Sequence, residues 1–311
     1  MTTIDIPVIE RADDSGQTVI RLGLGFTLYF VNGHLRSTRD AVADCVRLFH
    51  QNWSCQMRWS AFEGSRFRRT DTNYLVRIID YLASSERENA ANYWAFTAHD
   101  GESEAEAPLC SVFALGQPRE DSEANGDISF VSFGVPYEAG AAAVGRLADV
   151  MLACCQRIRP LHGYGGLRFV QAADDGLAAA NVNALYGLAQ RYAGVDVDFP
   201  LDHCLYLKDA VKGANWLVAL PETWARDLDD ELGSTSLPIS CETLRFERGR
   251  LIKAGEVPEL GDRNRHQSTP QLNALAAYLR PIRVKFHGEV GESFESKFDS
   301  EVFSAWLARF G

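Results

Sequence analysis

No apolar run in the 311-residue chain approaches the ~20 residues a membrane-spanning helix needs. The opening, MTTIDIPVIERADDSG, has neither a basic stretch nor an apolar core, so no targeting segment is expected. Catalytic signatures are missing as well: there is no G-x-S-x-G, no Walker A loop and no H-E-x-x-H. No C-x-x-C occurs, and the seven cysteines (Cys45, Cys55, Cys110, Cys154, Cys155, Cys204, Cys241) are odd in number and scattered. They suggest no disulfide framework, which points to a reducing compartment, the cytoplasm. Bases are in deficit: 31 Lys and Arg against 42 Asp and Glu leave a net charge of −11. The simplest use of that charge is solubility. It argues against nucleic acid or an anionic membrane as partner and suits a cationic one, for instance the phosphate-attracting cleft of a nuclease.

What is present reads as an ordinary globular protein. The length suggests two domains or one large one, and a chain of this size needs no covalent staples. Residues 17–32 are β-branched and aromatic, as in a strand. Helices are expected at about 37–50, capped by Ser37 or Thr38, and after Asp71 or Thr72. A short strand is expected near 53–62. Strands at 92–99, 108–115 and 127–135 follow, joined by DGESEAEA and GQPREDSEANG. The long helix at 139–158 buries Leu147, Val150, Met151, Cys154 and Ile158 and stops at Pro160. Strands followed by helix and more strands argue for an α+β fold, with mixed, largely antiparallel sheets packed against several helices.

The likeliest seam lies near Pro160–Gly166. It divides an N-terminal α+β half, 1–160, with acidic hairpin loops, from a C-terminal α+β half, 161–311. The halves could be related copies, and both could share one core. The second half opens with HGYGGLRFVQAA, read as a glycine-rich turn entering a strand. A helix at 177–192, strands at 203–208 and 215–219, and a helix from Pro221 to before Gly233 follow. Then come a hairpin at 239–256, a helix from Pro270 to Leu279 and an apolar terminal helix around Val302–Phe310.

Candidate chemistry is sparse. Asp196-Val-Asp198, with Asp202 near, resembles a D-x-D metal site, and two aspartates alternating along a strand would share a face. A polar turn is the simpler reading. Cys204 with His203 could in principle form a nucleophile–base pair, but nothing marks an activated thiol. His162-Gly-Tyr-Gly-Gly166 lacks the spacing of a dinucleotide fingerprint. Asp174-Asp175 reads as helix capping, and Gly261–His266 as turn chemistry. More conspicuous are eight acids, Asp100, Glu102, Glu104, Glu106, Glu120, Asp121, Glu123 and Asp127, with Arg119 the only base among them. They are expected at one edge of a sheet. A solvated loop explains them, and so does a partner-binding surface.

Four stretches, LHGYGGLRF, RYAGVDVDFP, LKDAVKGANWLVALPETWARDL and RLIKAGEVPELGDRNR, resemble the type VI secretion immunity family associated with VRR-type nuclease toxins. Gly165, Gly166, Arg191, Tyr192, Gly194, Asp196, Lys212, Gly213, Asn215, Trp216, Leu217, Ala254, Gly255, Pro258, Leu260, Gly261, Asp262 and Asn264 stand at its motif places. Ala193 stands where the family often has Pro, and Val218 where it often has Thr. The resemblance runs from about Arg159 to Leu279, with a weaker echo in the N-terminal half. It implies an immunity protein without enzymatic activity, cofactor or metal, which binds a cognate effector toxin in the cytoplasm. In this family the toxin is often a DNase of the restriction-endonuclease-like fold. The eight acids would then steer a cationic toxin. A metal-dependent hydrolase using Asp196, Asp198 and Asp202 is the first alternative, and an effector-carrying adaptor or chaperone the second. The sequence leaves a homo-oligomer open.

Overall fold

The stretch TVIRLGLGFTLYF can pair on both edges and bury both faces, and it does. In the computed structural model, which describes residues 6–70, 73–87, 92–137, 141–232, 237–291 and 296–311, it sits at the centre of a single twelve-stranded sheet. In chain order the first half supplies β1 (Glu10–Ala12), β2 (Thr18–Phe30), α1 (Arg36–Asn52), β3 (Trp59–Phe62), β4 (Arg68–Arg69) and α2 (Tyr74–Ala83). It continues with β5 (Trp94–His99), β6 (Ser111–Gly116), α3 (Arg119–Ala124), β7 (Ser129–Pro136) and α4 (Ala141–Ile158). The second half supplies β8 (His162–Gln171), α5 (Asp175–Ala180), α6 (Val182–Arg191), β9 (Asp196–Val197), α7 (Pro200–His203) and β10 (Leu217–Pro221). It ends with α8 (Glu222–Leu232), β11 (Cys241–Phe246), β12 (Gly249–Ala254), α9 (Pro270–Leu279) and α10 (Ser300–Leu307).

The strand order is β11-β12-β10-β8-β2-β7-β6-β5-β3-β4, with β1 on β2 and β9 on β8. Every pairing is antiparallel except β8–β9, so the expected α+β class holds. Each half places its first long strand at the middle: β2 and β8 pair over ten residues, from Ile20↔Gln171 to Tyr29↔His162. The sheet therefore crosses the seam near Pro160 without a break.

Alternation along β2 and its neighbours sorts the two faces. Phe26, Leu28 and Phe133 pack toward α1 and α4, where Phe49 stacks on Phe133 at 5.1 Å. Thr27, Tyr29, Ser132 and Tyr164 point to the other face, over which the chain from Asp198 to Pro200 passes. α1 starts one residue before the expected caps, with Leu35 at the N-cap and no side-chain cap. The proposed caps Asp71 and Thr72, and the stop at Gly233, lie outside the described residues. Pro221 ends β10 rather than opening α8.

Three local expectations are corrected. HGYGGLRF is no turn: it is the heart of β8. A Cβ at Gly165 would lie 2.8 Å from Phe26 Cβ, so glycine lets two central strands close on each other. The helix at 177–192 is two helices, broken at Asn181, whose side chain donates to Leu177 O at 2.9 Å. Residues 203–208 are not a strand. They continue the helical turn begun at Pro200, with Leu207 N donating to His203 O at 3.0 Å. The cysteine reading also changes: Cys55 and Cys110 form a disulfide that ties the segment before β3 to the start of β6. Cys45, Cys154, Cys155, Cys204 and Cys241 are free.

Among the described glycines, the one closest-set against another stretch of backbone is Gly194, where the loop after α6 runs against Glu259–Leu260. Gly194 N donates to Leu260 O at 3.0 Å, and a Cβ would sit 1.8 Å from Glu259 O. Gly194→Ala is expected to cost about 3 kcal/mol in urea unfolding, because backbone must move against backbone. Gly187→Ala, in α6 with nothing within 4 Å of the added carbon, is expected to gain up to ~1 kcal/mol. Equal midpoints for the two variants would show that the loop yields freely.

Candidate functional site

The eight acids do not share one edge. β5, β6 and β7 form an antiparallel meander, so its two connections lie at opposite ends of the sheet. In the first connection the carboxylates mostly build the loop. Asp100 is half-buried and accepts from Cys110 N at 2.8 Å; burial raises its pKa. Glu106 accepts from Arg21 and from Glu102 N, both at 2.7 Å. Glu102 pairs with Arg58, and Glu104 is exposed. In the second connection Glu120, Asp121 and Glu123 lie on α3, the first two in its opening turn, where negative charge suits the helix dipole. Glu123 faces Arg119 at 3.6 Å, and Asp127 is held by Lys208.

Asp196 and Asp198 are no polar turn. β9 lies parallel to β8, in register Arg168↔Asp196, and this brings both carboxylates to the face of the sheet that carries Thr27 and Tyr164. Lys212 Nζ sits between them, 2.8 Å from Asp196 Oδ2 and 3.9 Å from Asp198 Oδ1. It also donates to Val197 O at 2.6 Å and lies 4.4 Å over the Tyr164 ring. Asp198 accepts from Tyr164 OH at 2.6 Å, Thr27 Oγ1 at 2.8 Å and Arg168 Nη1 at 3.3 Å. Burial raises the Asp196 pKa, and Lys212 offsets part of that. The position a metal would take between the two aspartates is filled by a built-in ammonium. Asp202 faces elsewhere and accepts from Gly291 N at 3.1 Å. Among the described residues no group of three His, Cys, Asp or Glu is arranged to hold an ion. The crevice beside the network, lined by Gly25, Phe26, Arg168, Asp196 and Asp198, admits no water-sized sphere.

Buried histidines border the network. His203 Nδ1 is 2.8 Å from His287 Nε2, and His162 Nε2 is 2.7 Å from Leu207 O. Burial pushes His162 and His287 down to about 4, and His203 well below its usual value. Cys204 is buried with its pKa raised by desolvation, so it is no activated partner for His203.

Sequence reasoning missed an apolar feature. Leu201 and Leu205 are 51% and 65% exposed, and Phe286, whose ring lies 6.1 Å from Tyr206, is 61% exposed. The available clue was Pro200 followed by two leucines four apart, which is helical rather than strand spacing.

Several of the residues that carried the family resemblance meet one another. Arg191 forks onto Asp262 through Nε at 3.0 Å and Nη2 at 2.9 Å; Asp262 in turn caps a helical turn by accepting from Asn264 N. Asp196 meets Lys212. Trp216 Nε1 donates to Gly255 O at 3.2 Å, and its backbone passes Gly166 closely. These residues are devices of the fold. His266, in the same turn, takes the left-handed conformation, with φ +54°.

A comparison with curated proteins finds no match. Among solved structures, the chain is similar to the Pseudomonas aeruginosa T6SS protein PA0821, with TM-score 0.79 and 22% identity, covering 96% of this chain and 85% of that one. At that identity the likeness is one of fold. A second structure, the toxic C-terminal tip of CdiA from Pseudomonas aeruginosa with its immune protein, matches at TM-score 0.26 and 12% identity, over 47% of this chain and 86% of that one. That overlap is too weak to carry an argument. The family model extends well beyond the stretch from Arg159 to Leu279: matching residues 41–310, the chain belongs to the TsiV family, type VI immunity for VRR-NUC.

Proposed function

We propose that this immunity protein binds a VRR-type effector nuclease and holds it inactive in the cytoplasm of the cell that makes both. The family match over residues 41–310 carries the reading. The chain's net charge of −11 supports it, because a nuclease must attract phosphates and so offers a basic surface to an acidic inhibitor. The closing of Asp196 and Asp198 onto Lys212 also supports a working surface over a reactive pocket. A toxin that cleaves nucleic acid acts in the cytoplasm, which supports an encounter there. Reductants there keep thiols open, so the fold must stand there without the Cys55–Cys110 bridge.

The test is a DNA-cleavage assay with a candidate cognate VRR nuclease domain, together with co-expression of the two. Stoichiometric protein is expected to abolish cleavage and to restore growth of toxin-expressing cells. Cleavage that persists in molar excess would remove inhibition. Binding without inhibition would instead favour an effector-carrying adaptor.

A further inference from the structure

We propose that the surface where the leucines of the Pro200–Leu207 turn meet the acidic helix α3 docks a basic face of the effector's toxin domain. The proposal rests on the inhibitory reading above and adds where on the fold the contact is made. Leu205 N donates to Asp202 O and Leu207 N to His203 O, so the segment is helical past His203, and Leu201 and Leu205 stack on one side of it. Phe286 extends the apolar area across Tyr206. Single exposed leucines need no explanation, but large apolar side chains grouped this way mark an interaction site.

The platform beneath is buried and hydrogen-bonded to the sheet. His203, Cys204 and Leu207 in the same turn are buried, Tyr29 OH reaches Pro200 O, and His162 holds Leu207 O. Side chains displayed on a fixed base lose little freedom on binding, which suits anchor residues.

Charge selects the occupant. Lys208 ties this turn to Asn125 O at 3.1 Å and to Asp127, which brings α3 with Glu120, Asp121 and Glu123 alongside. Asp209 and Glu289 are also exposed here. The neighbouring bases are Lys208, held by Asp127, Arg119, which faces Glu123, and Lys285. An apolar centre beside carboxylates complements a basic surface with its own apolar hollow. A second copy of this chain would set acid against acid. The acids of the other connection, Glu102 and Glu104, stand at the far end of the sheet.

Binding of each variant to a catalytically inactive VRR nuclease domain, followed by surface plasmon resonance, tests the assignment. Leu201→Ala with Leu205→Ala is expected to raise Kd at least ~30-fold, mainly through faster dissociation. Glu120→Lys, Asp121→Lys and Glu123→Lys together are expected to slow association ~10-fold at low salt and to flatten its salt dependence. Glu102→Lys with Glu104→Lys is expected to stay within about twofold of the parent. All are exposed or half-exposed changes whose melting temperatures, read alongside, are expected to stay near the parent's.

Wild-type binding that survives the leucine and α3 changes unaltered overturns the docking face but leaves the inhibitory reading intact. So does a loss confined to the Glu102 and Glu104 variant. A wild-type dimer in sedimentation that Leu205→Ala dissolves would hand the face to a second copy. Absence of any wild-type binding would remove the inhibitory reading itself.

Discussion

Lys212→Met is expected to lower stability by about 3–5 kcal/mol, a large share of the ~5–15 kcal/mol that holds a native protein folded. Lys212 is 2% exposed at its side chain, and Asp196 and Asp198 are 6% exposed each. Removing the ammonium leaves Asp198 with Arg168 alone for a counter-charge. Asp196 keeps no direct one: its second oxygen already lacks a partner. A buried charge stripped of its partner costs far more than the pair contributes. The double variant Lys212→Met with Asp196→Asn removes one charge of each sign and is expected to regain more than half of the loss. A urea midpoint is the measurement. If Lys212→Met unfolded where the parent does, the carboxylates would have to be reached by water, and the ammonium would not be their clamp.

Acid is expected to unfold the protein well above the usual carboxylate range. Burial pushes His99, His162 and His287 down to about 4, and lowers His34 and His203 as well. The unfolded chain takes up these protons near the usual 6.5, whereas the native chain takes up those of His99, His162 and His287 only near 4. Between those values the unfolded state binds more protons, so stability rises with pH. It is complete above about 6.5 and is lost progressively as pH falls toward 4. With the three histidines at about 4 contributing together, the slope reaches about 4 kcal/mol per pH unit. Asp100, Asp196 and Glu259, whose pKa values burial raises, act in the opposite sense and soften the loss in the carboxylate range. Circular dichroism at fixed urea, titrated from pH 7 to 4, is expected to show a cooperative transition near pH 5. Its steepness should fall by about one proton in His162→Gln. A stability that stays flat from pH 7 to 5 would mean the histidines are reached by solvent or charged already in the fold.

Those elements that depend on their own residues were legible in the sequence. α4 shows its stripe from Leu147 to Ile158, α9 begins at Pro270 as expected, and β11 and β12 meet across Glu247–Arg248. What needed a distant partner was not. The glycines of β8 suggest a turn until Phe26 is known to lie against them. The D-x-D of Asp196 and Asp198 was visible, but its meaning came from Lys212, Arg168 and Thr27, which only the β2–β8–β9 pairing gathers. Cys55 and Cys110 are 55 residues apart and meet only because β3, β5 and β6 are neighbours. Two further features have a signal in the sequence. A meander sends consecutive loops to opposite ends, so three successive strands separate the two acidic linkers. The Leu201–Leu205 spacing was helical from the start.

The central pairing of β2 with β8 joins residues as distant as Ile20 and Gln171. During translation, then, one edge of a long apolar strand waits open while more than a hundred further residues are added. At roughly 5–20 residues per second that wait is on the order of ten seconds. A nascent chain cannot close its sheet in that interval, so its working surfaces are not yet set on a finished scaffold. Until β8 emerges, the open edge of β2 is free to pair with a strand of another chain, and crowding of nascent chains on one message would favour that mispairing.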